Sequence, residues 1–273
     1  MSDHQHATAV TAPGGPFRAV GAALGLTLFG ILFAELFTMP AIVIEPNLLD
    51  SPADTSVSVR TVFFALNFVG MAVAGAIYLS YTNRGWAFVD LRTPTRHDVV
   101  VTLIGCGVIL AFYLASSVAI YLLDLPAADT GVLEFIGDDE TMVLMMIAIA
   151  FLFNSPAEEF LFRNVIQKRL YASFAPVGAV VVASGIFALV HLPVYAVFAD
   201  SALAIVVPIT MLFVGGLILG YLYLRTANLV VPIVVHAVYN SFIWGLLYLS
   251  IVYEWDDATT TVEFVAPILG LLG

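Results

Sequence analysis

Seven long apolar stretches decide what this chain can fold into. Each is close to the roughly 20 apolar residues that a helix needs to cross a lipid bilayer. They cover residues 19–39, 61–83, 99–123, 141–157, 170–199, 201–224 and 226–253, and only the first contains a charged residue, Glu35. None alternates strictly between apolar and polar residues over about ten positions, as a membrane β-strand would. The sequence therefore predicts an all-α, polytopic membrane helix bundle.

Composition excludes the main alternatives to a membrane protein. The chain is 61% apolar and 11% charged, whereas soluble domains carry about 25% charged residues. Disordered chains are poor in apolar residues, so disorder is excluded as well. With 9 Lys and Arg against 20 Asp and Glu, the chain lacks the basic face that a nucleic-acid partner requires. A single cysteine, Cys106, excludes a disulfide framework and a CxxC metal site.

The two ends of the chain set the predicted domain limits. Residues 1–16 are small and polar and predict a disordered N-terminal tail, with no convincing signal peptide. Residues 17–273 are predicted to form a single transmembrane helical domain. The last apolar piece, residues 264–273, is too short to cross alone. It is an interfacial tail or the start of another helix, so we expect seven or eight transmembrane helices.

The cations predict the orientation. With the N-terminus inside, eight of the 9 Lys and Arg residues fall on the cytoplasmic side and only Arg60 lies outside. Cytoplasmic loops are enriched in Lys and Arg. We therefore expect a multi-pass protein of the plasma membrane with a cytoplasmic N-terminus and the lipid bilayer as its main partner.

One dense polar cluster, NSPAEEFLFR over residues 154–163, interrupts the fourth stretch. Glu158 is ten residues before Lys168, hence about 15 Å from the inner surface and near the bilayer midplane. Pro156 cannot donate a backbone hydrogen bond. We expect the helix to be interrupted there, with Asn154 or Ser155 capping a new half-helix whose positive end favours the carboxylates.

The charges in this cluster have two readings. Glu159 and Arg163 are spaced to pair on one helix face, which leaves Glu158 free for other contacts. Charged residues inside a membrane are costly and usually functional, so Glu158 is a candidate general base. Taken alone, the cluster is equally explained as an interfacial salt bridge without chemistry.

Two histidines and an asparagine fall at the same depth as Glu158. His191 lies late in the fifth stretch, and His236 and Asn240 lie four residues apart in the seventh, on one helix face. Counted along their helices, all are about 15–22 Å from the inner side. Agreement in depth across three helices indicates a shared site rather than separate structural hydrogen bonds.

This residue set suits hydrolysis by either of two routes. In the first, a water held between Glu158 and His191 is deprotonated and attacks a peptide carbonyl, while His236 and Asn240 donate to the oxyanion. In the second, Glu158, His191 and His236 bind zinc or another divalent metal, which activates the water. The chain has no HExxH motif, and the residue types alone do not choose between the routes.

Three motifs resemble a known family. EEFLFR (residues 158–163), FALVH (187–191) and HAVYN (236–240) match the EExxxR, FxxxH and HxxxN motifs of the CPBP family, the type II CAAX-protease and bacteriocin-processing membrane proteins. The resemblance covers about residues 86–251. It implies a membrane bundle with endopeptidase activity, in which Glu158 activates water and His191, His236 and Asn240 complete the site. It also implies supporting roles for Glu159 and Arg163.

Three functions are compatible with these observations. The first is an intramembrane endopeptidase that cuts a peptide or lipidated-protein substrate. The second is a non-catalytic membrane scaffold or immunity-type protein that retains the motifs. The third is a proton-coupled carrier, since intramembrane Glu and His residues also form proton relays.

Overall fold

The computed structural model describes residues 15–128, 130–197 and 199–253, and within these ranges the chain is helical or loop without any strand. The all-α prediction is confirmed. The helices are α1 (Gly15–Ile44), α2 (Val57–Tyr81), α3 (Arg96–Leu122), the short α4 (Val132–Ile136), α5 (Glu140–Leu170), α6 (Pro176–Val190), α7 (Leu192–Ala196), α8 (Ala202–Thr226) and α9 (Val230–Val252). Short 3-10 turns lie in the loops at Pro46–Leu48, Pro52–Asp54 and Trp86–Phe88.

Seven helices in the described part of the chain are long and apolar enough to cross a membrane, with α6 and α7 counted as one span. Each overlaps most of one of the predicted stretches, so the protein is a multi-pass membrane protein. Helix α1 begins at Gly15, two residues inside the predicted tail. Residues 1–14 and 254–273 lie outside the described residues, as does the segment considered for an eighth helix.

Glycines allow neighbouring helices to approach closely. A Cβ atom on Gly70 of α2 would lie 2.3 Å from the backbone oxygen of Phe33 in α1. Gly216 and Gly220 of α8 allow a similar approach, because a Cβ at either position would lie within 3.1 Å of a side-chain atom of α6 or α5. Small residues permit such backbone approach between membrane helices.

Helix α5 does not break at Pro156, and this prediction is wrong. Backbone angles remain right-handed helical at Asn154 and Ser155. Two π-helical stretches, Ala150–Asn154 and Phe160–Gln167, lie within the helix. The wide π-helical turn directly before the proline gives its ring room, so the helix continues despite the missing N–H.

The continuity of α5 changes the setting of the two glutamates. Asn154 makes no capping hydrogen bond at the start of the Ser155–Glu159 turn. Glu158 and Glu159 therefore lie in a helix interior rather than at the positive end of a half-helix. Helix α5 contacts α1, α2, α6, α8 and α9. Its buried residues Leu161 and Ile166 belong to a core that extends into α1 and α6, and the polar cluster is thus held at the centre of the bundle.

The helix ends form two faces of opposite charge. The cation-rich face, where α2 ends and α3 begins, carries Arg18, Arg84, Arg92, Arg96, Lys168, Arg169 and Arg225. The acid-rich face, where α3 ends and α5 begins, carries among the described residues Glu45, Asp50, Asp54, Asp124, Glu134, Asp138, Asp139, Glu140 and Asp200. Arg60 lies on the acid-rich side and is only 2% exposed, because it pairs with Asp139 at 2.6 Å.

Candidate active site

The four predicted site residues line one cavity of about 570 Å³. Glu158 comes from α5, His191 from the junction of α6 and α7, and His236 and Asn240 from α9. Side chains of α1, α2, α3, α4 and α8, most of them apolar, form much of the remaining wall. A large cavity with an apolar wall and a few convergent polar groups is typical of a ligand site.

Glu158 is held by a chain of side-chain hydrogen bonds. It is 7% exposed, and its Oε1 accepts a hydrogen bond of 2.9 Å from Nδ2 of Asn154. Oδ1 of Asn154 accepts in turn from Nδ2 of Asn240 at 2.7 Å. Asn154 thus connects the predicted base on α5 to the predicted oxyanion donor on α9.

Asn154 is the site residue that the sequence reasoning missed, because it was considered only as a helix cap. Asn154 and Glu158 are four residues apart in the sequence, and on an α-helix such residues lie on the same face. That spacing could have identified Asn154 as a partner of Glu158. The expected helix break at Pro156 placed the two residues on separate helices and so concealed it.

Glu159 binds two partners, one through each carboxylate oxygen. Its Oε1 lies 2.9 Å from Nδ1 of His236, and its Oε2 lies 3.0 Å from Nε of Arg163. The predicted pair of Glu159 and Arg163 is therefore present, and both side chains are 0% exposed. The guanidinium carbon of Arg163 also lies 5.0 Å from the centre of the Phe187 ring, a favourable cation–π contact.

These contacts fix the orientation of His236. The carboxylate of Glu159 pairs with Arg163, and a carboxylate can only accept hydrogen bonds. In its contact with His236, the hydrogen therefore belongs to Nδ1 of the histidine. Nε2 then lies on the side of Glu158, 3.8 Å from Oε2 of that residue. This separation is too long for a direct hydrogen bond, so both atoms keep their hydrogen-bonding capacity for another group.

His191 is oriented by the end of the regular hydrogen bonding of α6. Helix α6 ends at Val190, and the amide of His191 bonds to the carbonyl of Ala188 at 3.2 Å. The carbonyl of Phe187, the usual partner of that amide, accepts instead from Nδ1 of the His191 ring at 2.7 Å. A carbonyl oxygen only accepts, so Nδ1 carries the hydrogen and Nε2 keeps its lone pair when the ring is neutral.

The same residues are the candidates for a metal. Both histidines donate from Nδ1 to a carboxylate or a backbone carbonyl, which is the outer contact usual for metal-binding histidines. Yet in the described part of the chain no three His, Cys, Asp or Glu side chains are gathered closely enough to hold a metal ion. Both histidines thus have tautomers suited to metal binding, but the described residues do not form a complete metal site. Zinc or another divalent metal stays a prediction for the site.

A polar network lies between the site and the cation-rich face. The backbone amide of Asp90 donates to Oδ1 of Asn164 at 2.9 Å, and its carboxylate pairs with Lys168 at 2.9 Å and accepts from the Tyr223 hydroxyl. Asn164 and Tyr223 are buried. We call these four residues the inner latch. It ties the loop after α2 to α5 and α8.

The fold and the site together define a class of protein. It is an all-helical membrane bundle that brings a glutamate, two histidines and an asparagine to one cavity. Residues 140–242 match the family model for type II CAAX prenyl endopeptidase Rce1-like proteins. This match covers all three motifs and supports the resemblance to the CPBP family. At family level it supports a CAAX-type endopeptidase. Comparisons with curated proteins and with solved structures gave no match.

Proposed function

We propose that this protein is an intramembrane endopeptidase in which Glu158 activates the attacking water. The observation that carries the proposal is the convergence of Glu158, His191, His236 and Asn240 on one cavity. The family match supports the same reaction class.

The water is positioned by two acceptors. The carboxylate of Glu158 accepts one of its hydrogens, and the free Nε2 of His191 accepts the other. The water oxygen thereby presents a lone pair to the peptide carbonyl. As the new C–O bond forms, one O–H bond of the water breaks and its proton passes to Glu158.

The oxyanion is stabilised by the two residues of α9. One hydrogen of the Asn240 amide is used by Asn154, and the second is available to the substrate oxygen. In its protonated form His236 donates from Nε2, and the contact with Glu159 at 2.9 Å stabilises the charge of the ring. When the C–N bond breaks, Glu158 returns its proton to the leaving nitrogen, so the products are a carboxylic acid and an amine.

The test is cleavage of a fluorogenic lipidated peptide by the purified protein. We expect Glu158→Gln to lower kcat/KM at least 100-fold, the usual contribution of a general base. The matched control is Glu140→Gln, on the same helix but exposed at its start, and it should cleave like the wild type. Equal cleavage by Glu158→Gln contradicts the proposal.

Two further measurements separate the alternatives. Activity before and after chelation, with metal analysis of the active protein, distinguishes the metal route from the metal-free one. A scaffold or immunity-type protein is indicated if Glu158→Gln and His191→Ala keep full biological activity. A proton-coupled carrier is indicated by uptake into proteoliposomes without any cleavage.

A further inference from the structure

Asn67 is a polar residue of the cavity wall that the proposed reaction does not use. It lies in the membrane-spanning helix α2, and the other residues of this fully described helix that line the cavity are apolar: Phe63, Phe64, Phe68 and Met71. Phe63, Asn67 and Met71 are spaced four residues apart, so they lie on one face of the helix. The Asn67 side chain therefore interrupts the middle of an apolar wall.

The side-chain amide of Asn67 is half-buried, and it hydrogen-bonds to no group in the described part of the chain. By contrast, Thr27 on the wall formed by α1 donates to the carbonyl of Ala23 at 2.9 Å. A polar group inside a membrane is costly to leave without a partner, and polar residues in membrane helices usually bind another helix or serve function. Because no described helix takes the Asn67 amide, its partner should be a molecule in the cavity.

The packing of α2 against α5 sets the height of Asn67 relative to Glu158. Both helices end at the cation-rich face, so they run in the same direction. Gly75 lies beside Phe160, because an added Cβ would lie 2.5 Å from Cε1 of that ring. Asn67 comes eight residues before Gly75, and Leu152 comes eight residues before Phe160, so the two lie at a similar level. That level is six residues from Glu158, or about 9 Å along the helix axis.

The chemistry of an amide matches that of a peptide backbone. The Asn67 side chain offers N–H donors and a carbonyl acceptor, and each residue of a peptide presents one N–H and one C=O. An extended peptide rises about 3.3 Å per residue, so 9 Å corresponds to about three residues. The amide carries no charge, and it can pair with the backbone of any residue except proline, which lacks the N–H.

We propose that Asn67 binds the peptide backbone of the substrate about three residues from the scissile bond, while the peptide lies extended between α2 and Glu158. This inference rests on the proposed endopeptidase function and adds to it a residue that positions the substrate. It assigns recognition at this wall to the backbone, so an extended segment without proline is accepted whatever its charge.

The first experiment measures peptide binding in Glu158→Gln, which should bind without cleaving. A fluorescent form of the lipidated peptide is the probe. Adding Asn67→Leu should raise Kd at least about fivefold, the effect of losing one hydrogen bond. The matched control is Thr61→Val on the same helix, because the buried Thr61 hydroxyl also lacks a partner among the described residues but does not line the cavity. It should change Kd less than about twofold. Equal Kd with and without Asn67→Leu overturns the proposal.

The second experiment identifies the backbone group that Asn67 contacts. Each peptide N–H of the probe is replaced in turn by an ester oxygen, which removes one donor. At one position about three residues from the scissile bond, the ester should weaken binding to Glu158→Gln at least about threefold, and it should have almost no effect once Asn67→Leu is added. Ester effects that are the same with and without Asn67→Leu at every position overturn the proposal.

A third measurement excludes a purely structural role. In detergent micelles the melting temperature of Asn67→Leu should be no lower than that of the wild type, because the amide has no partner in the described chain to lose. With the cleavable peptide, Asn67→Leu should raise KM and leave kcat within about twofold, as expected for a contact that is equal in the ground and transition states. A clear fall in melting temperature would show that Asn67 holds helices together, and the proposal would be wrong.

The outcomes distinguish this inference from the proposed function. If the wild type does not cleave the peptide but the ester effect depends on Asn67, the endopeptidase proposal fails and Asn67 is still a peptide-binding residue. If the wild type cleaves and no ester effect depends on Asn67, the inference is wrong while the endopeptidase function stands.

Discussion

Nδ1 of His236 lies 2.9 Å from Oε1 of Glu159, and this contact joins a candidate catalytic side chain on α9 to a buried ion pair on α5. The other oxygen of Glu159 faces Arg163. The carboxylate of Glu159 therefore compensates the charge of Arg163 and also sets which nitrogen of His236 carries a hydrogen. Of the two adjacent glutamates in the EExxxR motif, Glu159 therefore holds His236 and Arg163 in place, and Glu158 is the one available as the candidate base.

Breaking the buried ion pair should be costly. Glu159→Gln leaves Arg163 as an uncompensated charge with 0% exposure, and loss of one partner of such a pair costs about 3–5 kcal/mol. Arg163→Met should be similarly harmful, but the double variant should be far less destabilised than the sum of the two. Unfolding of the protein in detergent micelles measures all three, and additive losses would show that the two side chains do not interact energetically.

Asn154 should act as a positioning residue for Glu158 and Asn240. Asn154→Ala removes the donor to the Glu158 carboxylate and the acceptor for the Asn240 amide. We therefore expect kcat to fall about 10–100-fold with little change in KM. Combining it with Asn240→Ala should lower kcat by less than the product of the two single effects, because both changes remove the same hydrogen bond between these side chains. A loss confined to KM, or full additivity in the double variant, would contradict this role.

The close approach of α1 and α2 should depend on one glycine. At Gly70 an added Cβ would meet the backbone of Phe33 at 2.3 Å, and a backbone atom cannot rotate away. Gly70→Ala should therefore destabilise the protein by at least about 1–3 kcal/mol, the usual cost of overpacking. Gly25→Ala in α1 is the matched control, because a Cβ there meets nothing within 4 Å. Similar unfolding midpoints for the two variants would refute the packing argument.

The contact of Arg60 with Asp139 should make stability depend on acid pH. Burial raises the pKa of Asp139, but the amide of Met142 and the guanidinium of Arg60 more than offset it, so the pKa lies below the ordinary 3.8. A depressed carboxyl pKa stabilises the fold above the unfolded pKa, and that contribution is lost as the pH falls through the folded pKa.

The difference in melting temperature between wild type and Asp139→Asn measures this contribution. It should favour the wild type and stay constant from about pH 7 to pH 5, then shrink below about pH 4. A difference that persists unchanged into strong acid would mean that the charge of Asp139 does not contribute.

The membrane spans could be predicted from the sequence because length and hydropathy determine which segments cross a bilayer. The depth of Glu158, His191, His236 and Asn240 could also be estimated, since the rise per residue of a helix is constant. The π-helical turns within α5 could not be predicted from the sequence. Pro156 predicted a break, and only the π-helical turn beside it, set by packing around α5, lets the helix continue. The orientation of His191 likewise depends on the carbonyl of Phe187, which lacks its usual helical partner where α6 ends and accepts from the His191 ring instead.

The two π-helical stretches of α5 have a consequence for the tolerance of this helix to insertion and deletion. A π-helical turn holds an extra residue relative to an α-helical one, so deleting one residue within Phe160–Gln167 offers the chain a regular helix. Because the π-helical turn already accommodates the extra residue, the parts of α5 on either side of the deletion should keep nearly their present angle, and Lys168 should stay beside Asp90. Deleting one residue from a regular α-helical turn would instead rotate everything after it by about 100°. The irregular winding of α5 is therefore the place where this helix tolerates a change in length.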